Sequence, residues 1–240
     1  MNNTPLKYSV IVLLLSFAIT SCKKNAPSKS SENGGNISFY AKASGTGVKL
    51  ANAKSGSIAS DQVVVNWTSA SIYIQKISFI GTNGNLLDTT ITVEKNINLF
   101  SPAALAGVIQ LPAGSYKDVK VKMLLLKSQK SDRAFILKGT FKNTKGGQDS
   151  LFIASSFPFE VNLGVTDITI NAADAYKATF NFNLDKGLTG ISTAALQTAR
   201  HYGTGSPLLY VIAKGGSDVE PFYDQVVSNW QNVASVTVSK

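Results

Sequence analysis

The chain has 240 residues, 44% of them apolar and only 15% charged, with a formal net charge of +9. That apolar share can build a sizeable core and excludes global disorder. One cysteine excludes an internal disulfide, and one histidine excludes a His/Cys zinc cluster.

The first segment is read before any fold. A short polar start with Lys7 leads into Val10-Ile11-Val12-Leu13-Leu14-Leu15, continued by Ser16-Phe17-Ala18. This is the layout of a secretory signal: a basic start, an apolar stretch and small residues at the cut. The apolar stretch from Tyr8 to Thr20 falls short of the roughly 20 residues that a bilayer-spanning helix needs. It closes on Ile19-Thr20-Ser21-Cys22, which contains the only cysteine. That tetrad resembles the lipobox of bacterial lipoproteins, with Ile19 in place of the commoner Leu.

The resemblance implies a signal peptide over residues 1–21, cleavage between Ser21 and Cys22, and acyl chains on Cys22. At about 0.8 kcal/mol per buried CH₂, two or three chains make a firm anchor. The expected location is the cell envelope, with the chain lipid-anchored to the outer membrane. Residues 22–35, rich in Ser, Asn and Gly, read as a flexible tether. Lys23 and Lys24 would lie against head groups. No acidic residue adjoins Cys22, which leans towards the periplasmic face, while the surface-exposed face stays open.

From Asn36 the pattern is that of strands, and residues 36–240 are expected to form one domain. Asn36–Ala41 alternates, and Val63–Trp67 and Ser71–Ile80 are rich in β-branched and aromatic residues. The turn cluster Gly81–Asn85 separates them from Leu86–Val93 and Lys95–Leu99. Ser101–Ala106, with Ser at an N-cap position and Pro next, predicts a short helix. In Tyr116–Leu126, Val119, Val121 and Met123 are expected on one face and Lys120 and Lys122 on the other. Ala134–Phe141 and Ser150–Ser155 read as a hairpin. Phe157–Leu163, Asp167–Asn171 and Ala175–Leu184 continue the strands. Thr189–Arg200 reads as helical, Pro207–Ala213 as a strand, and Pro221–Val233 as a helix with Phe222, Val226, Trp230 and Val233 on one face. The whole predicts a mainly β fold, a sandwich or barrel with a few short decorating helices.

Trp67–Ile74, Asn96–Phe100 and Ile109–Leu111 lead to Pro112-Ala113-Gly114-Ser115-Tyr116 and the alternating Val119–Lys122. This segment, about residues 63 to 126, resembles uncharacterised lipoprotein domains of Gram-negative bacteria. The resemblance implies a transthyretin-like or immunoglobulin-like β-sandwich and brings no catalytic residues with it.

Little in the chain suggests enzyme chemistry. His201 is the sole histidine and no Gly-x-Ser-x-Gly elbow is present, so no nucleophile and base pair off. No catalytic, cofactor-binding or metal-binding residue is assigned, and no cofactor is expected. Asn181-Phe182-Asn183-Leu184-Asp185 has a calcium-loop spacing but reads more simply as the polar face of a strand. The positive charge rests almost wholly on lysine, Arg133 and Arg200 being the only arginines, and no basic–aromatic cluster suggests nucleic acid. Lys120, Lys122 and Lys138 read instead as a wet sheet face. Among the aromatics, Trp67 and Trp230 are expected in the core and Tyr202 is the candidate ligand contact. Asp88-Thr89-Thr90 and Asp149-Ser150-Leu151 resemble a periplasmic O-glycosylation acceptor, which makes Thr89 and Ser150 candidate modification sites. The expected function is a non-catalytic binding or structural module whose partner is the membrane, through its anchor, with a glycan or envelope protein as the candidate ligand. A glycan-binding or adhesive surface protein is the first alternative, and a polysaccharide-acting enzyme with carboxylate chemistry the last.

Overall fold

The computed structural model describes residues 34–45, 62–102, 104–127, 133–214 and 221–240, all within the unit Glu32–Lys240. The described strands are β1 (Gly34–Ser44), β2 (Val65–Asn83), β3 (Asn85–Asn98), β4 (Leu105–Pro112), β5 (Gly114–Leu125), β6 (Phe135–Lys142), β7 (Gln148–Ser155), β8 (Phe159–Gly164), β9 (Ile168–Ile170), β10 (Ala175–Asn183), β11 (His201–Tyr202), β12 (Leu209–Lys214) and β13 (Ala234–Ser239). A 3₁₀ turn, Leu184–Leu188, and two short helices, α1 (Thr193–Leu196) and α2 (Tyr223–Trp230), complete the set. The fold is mainly β, as expected.

β2 is the axis of the architecture. Its buried side chains are Val65 and Trp67, then Ala70, Ile72 and Ile74, then Ile77 and Phe79. A strict period of two would throw half of these into water. Register shifts at Trp67/Ser69 and Ile74/Lys76 each insert a residue and restore the inward face. Two stretches that read as separate strands are therefore one, 19 residues long.

β3 runs along one edge of β2. On the other edge, β6 pairs with the first half of β2 and β5 with the second half. The sheet forks there: β7, β12 and β11 extend from β6, while β8 extends from β5. β1, β4, β10 and β13 form a second sheet, in which β1 and β10 run parallel. The edge strand β4 lies by β3, and β13 by β8. The inward faces of both sheets share one core, giving a sandwich-like arrangement with short decorating helices.

In β5, Val119, Val121 and Met123 are buried, Lys120 is exposed and Lys122 is half-buried, as the alternation requires. Asp118, at φ 52°, absorbs the extra residue that lets both Tyr116 and Val119 face inward. The apolar stripe of α2 is buried on its own sandwich: Trp230 stacks on Phe135 with centroids 4.3 Å apart and meets the edge of Phe159 at 6.0 Å.

Two further local expectations are corrected, and one strand is added. Ser101–Ala106 is not a helix: Ser101 and Pro102 lie outside any helix or strand, Ala103 lies outside the described residues, and β4 begins at Leu105. Pairing of β4 with β1 outweighs the capping signal there. Thr189–Arg200 shortens to the four residues of α1, capped by Ser192, whose hydroxyl accepts from Ala195 N at 3.1 Å. β13, whose alternation Ala234-Ser235-Val236-Thr237-Val238-Ser239 the sequence reading passed over, completes the edge of β10.

Candidate functional site

The branch of the sheet that grows from the start of β2 ends in a hairpin and a loop held together by one carboxylate. Between β6 and β7 the Asn143 side-chain oxygen accepts from Lys145 N at 3.0 Å and Gly147 N at 2.8 Å. Gly146, at φ 84°, supplies the left-handed residue that the turn needs. Asn143 Nδ2 donates to Asp149 Oδ2 at 3.0 Å, and Leu208 N donates to Asp149 Oδ1 at 2.9 Å. Asp149 is 1% exposed. It joins the hairpin to the start of β12, and so sets the end of the loop that follows Tyr202. Thr144 N donates to Gln197 Oε1 at 3.0 Å as a second strap.

The outer face of this branch carries a row of opposed residues. Asn66 stands opposite Thr140, Thr140 opposite Ser150, Ser150 beside Leu209, and Leu209 opposite Tyr202. Residues paired this way project from the same face. Four inter-strand steps of about 4.8 Å make the row about 19 Å long. At its Asn66 end an open groove of about 520 Å³ is lined by Val64, Asn66, Thr140, Lys142, Gly146 and Gln148. Gln148 Nε2 donates to Thr140 Oγ1 at 2.7 Å. Val64, Leu209 and Tyr202, at 56%, 39% and 48% exposure, are large apolar groups left in water along this track.

Of the aromatic residues weighed from sequence, Trp67, Tyr116, Tyr210 and Trp230 are buried and Tyr73 is half-buried, which leaves Tyr202 as the exposed ring. The Arg200 guanidinium lies 5.2 Å from the centre of that ring. His201 is exposed beside it, 5.4 Å from the ring of Tyr210, and makes no hydrogen bond to a serine or threonine hydroxyl among the described residues. Ser150 and Tyr202, two of the expected site residues, thus lie in one row. Thr89 lies apart from them: half-buried on β3, it faces inward with its partner Phe79. Cys22 lies outside the described residues.

Two of the polar residues of the calcium-like spacing are used within the fold, while the buried side-chain oxygen of Asn183 has no hydrogen-bond partner among the described residues. Asn181 Nδ2 reaches Thr179 O and Thr237 Oγ1, and buried Asp185 accepts from Trp67 Nε1 at 3.1 Å. Among the described residues no group of three His, Cys, Asp or Glu side chains could hold a metal ion. Asn66, Lys142, Gln148 and Leu209 are parts of the site that sequence reading passed over. The one local signal was an alternating apolar stretch at Leu209 whose outer side nothing covers.

No family model matches the chain, and no curated protein or solved structure matches it.

Proposed function

We propose that the chain is a cell-envelope lipoprotein, anchored to the outer membrane through acylated Cys22, whose sandwich serves as a non-catalytic binding or structural module. The observation that carries this reading is the tetrad Ile19-Thr20-Ser21-Cys22, closing an apolar run with the only cysteine of the chain. Cys22→Ala should move the protein from the membrane to the soluble fraction, and the wild type should offer no free thiol to a maleimide. A wild type with a reactive thiol, or a variant that fractionates like it, overturns the anchor. Protease shaving of intact cells separates the surface face from the periplasmic one.

A second reading, glycan binding, is favoured by the row of exposed Val64, Leu209 and Tyr202 beside a polar groove. Aromatic and aliphatic side chains with a few convergent polar groups suit the apolar faces and hydroxyl edges of sugars. No carboxylate lines the groove among the described residues, so binding is favoured over the paired-carboxylate chemistry of a glycosidase. Thr89 and Ser150 stand as proposed O-glycosylation acceptors, and an intact-mass spectrum free of added hexose would remove both.

A further inference from the structure

We infer that the groove and the row leading from it to Tyr202 form a track for an acidic oligosaccharide, one whose sugars carry carboxylates. The inference rests on the glycan-binding reading and adds the charge of the ligand to it.

Three properties converge. The first is shape, because an open groove continued by a row of about 19 Å takes an extended chain and exceeds a single sugar. The second is the lining chemistry. The amides of Asn66 and Gln148 and the hydroxyl of Thr140 each both donate and accept, as pairs of sugar hydroxyls require. Val64, Leu209 and Tyr202 give apolar footholds between them.

The third property is the sign of the charge. Lys142 lines the groove. Lys138, in the next row, reaches over the Phe152 ring at 5.9 Å, and Arg200 lies over Tyr202 at the far end. The one carboxylate in β6, β7, β11 and β12 is Asp149, which is buried with both oxygens engaged. Among the described residues of these four strands, Lys138 and Lys142 therefore meet no exposed carboxylate. Two lysines and one exposed ring along such a length suit carboxylates spaced among hydroxyls. They suit less well a strand with a phosphate at every nucleotide and a base to stack at each step.

The test uses the full chain in detergent, with polygalacturonate, alginate and hyaluronan as probes and fully methyl-esterified polygalacturonate as the uncharged control. At least one acidic polymer should bind, and more tightly than the ester. Lys142→Gln should weaken that binding about tenfold, as loss of one charge-assisted hydrogen bond implies, and should weaken binding of the ester by clearly less. Tyr202→Ala should weaken both. Lys142 and Tyr202 are exposed, so unchanged thermal melts will show that both variants fold. Equal affinity for the acidic polymer and its ester, or an unaffected Lys142→Gln, overturns the charge inference and leaves glycan binding standing. No binding to any of the four polymers overturns both, and salt-sensitive binding to single-stranded DNA alone would assign the track to nucleic acid.

Discussion

With 1% of its surface exposed, Asp149 holds its carboxylate between Asn143 Nδ2 and Leu208 N. Removing it leaves two donors facing a cavity, and hydrogen bonds to a charged group contribute about 1.5–3 kcal/mol each. Asp149→Ala should therefore destabilise the protein by about 3 kcal/mol, read as a lower urea midpoint at unchanged slope. It should also loosen the end of the Tyr202 loop, so ligand affinity should fall although Asp149 does not face the track. A loss under about 1 kcal/mol would mean that water replaces the carboxylate at no cost. Tyr223 contributes to the pH dependence of stability, as does the buried phenol of Tyr116. Burial raises the Tyr223 phenol above 10.0, the hydrogen bond to Ser155 pulls the other way, and Asp224 adds to the rise. The unfolded chain therefore ionises first, so this contribution is complete below the unfolded pKa and is lost as pH rises through the folded one. Tyr223→Phe should be less stable at neutral pH by about 1 kcal/mol and should lose stability less steeply above pH 10.0. Urea melts on both sides of that pH decide it; parallel slopes would refute the assignment.

At the scale of the element, Gly139 in β6 shows how the β2 register shifts bind neighbouring strands. It sits opposite Trp67, beside the first shift, and a Cβ placed there would come within 2.9 Å of the Asn66 carbonyl oxygen and 3.2 Å of the Trp67 ring. The obstacle is partly backbone, so relief requires β2 to move. Gly139→Ala should cost about 1–3 kcal/mol, the range for overpacking. Gly146→Ala meets nothing within 4 Å and pays only for its left-handed φ, about 1 kcal/mol. Chemical denaturation of the pair checks the order, and a Gly139 variant as stable as wild type would mean that β2 yields easily. The same shifts explain what was legible in the sequence. The alternation of β5 and the spacing of Val226 and Trp230 are local patterns that read correctly, although the helix expected over Pro221–Val233 shortens to Tyr223–Trp230, with Phe222 as a left-handed cap and Val233 beyond its end. A parity change looks like a break, so one strand looked like two. The Ser101 capping signal lost to a ladder with β1, and β13, six residues of strict alternation directly after a helix, was legible but passed over. Which strands pair is set by side chains far apart in sequence, so Ser150 and Tyr202 could be singled out individually but their shared row could not.

For the whole molecule, the relation between chain entry and the groove is fixed by register. β1 begins at Gly34, opposite Pro112, and Gly35 packs by Ile170, which pairs with Gly114 near the Asn83 tip of β2. Gly45, just past the far end of β1, packs by Asp185, whose carboxylate accepts from Trp67 Nε1 beside Asn66. Eleven residues of β1 at about 3.3 Å each therefore separate the entry point from the level of the groove, about 35 Å. Gly34, where β1 begins, therefore lies at the end of the sandwich remote from Lys142 and Tyr202. The proposed anchor and the proposed track are then compatible, and this has a direct check. With Cys22 acylated as proposed, Gly146→Cys, in open space at the hairpin, would carry the only free thiol. It should react with a bulky maleimide at the same rate in vesicles as in detergent, while Leu86→Cys, 72% exposed by the Asn83 tip, should be slowed by the bilayer. Slowing at Gly146 and not at Leu86 would place the groove against lipid, and a track for soluble oligosaccharide would then be untenable.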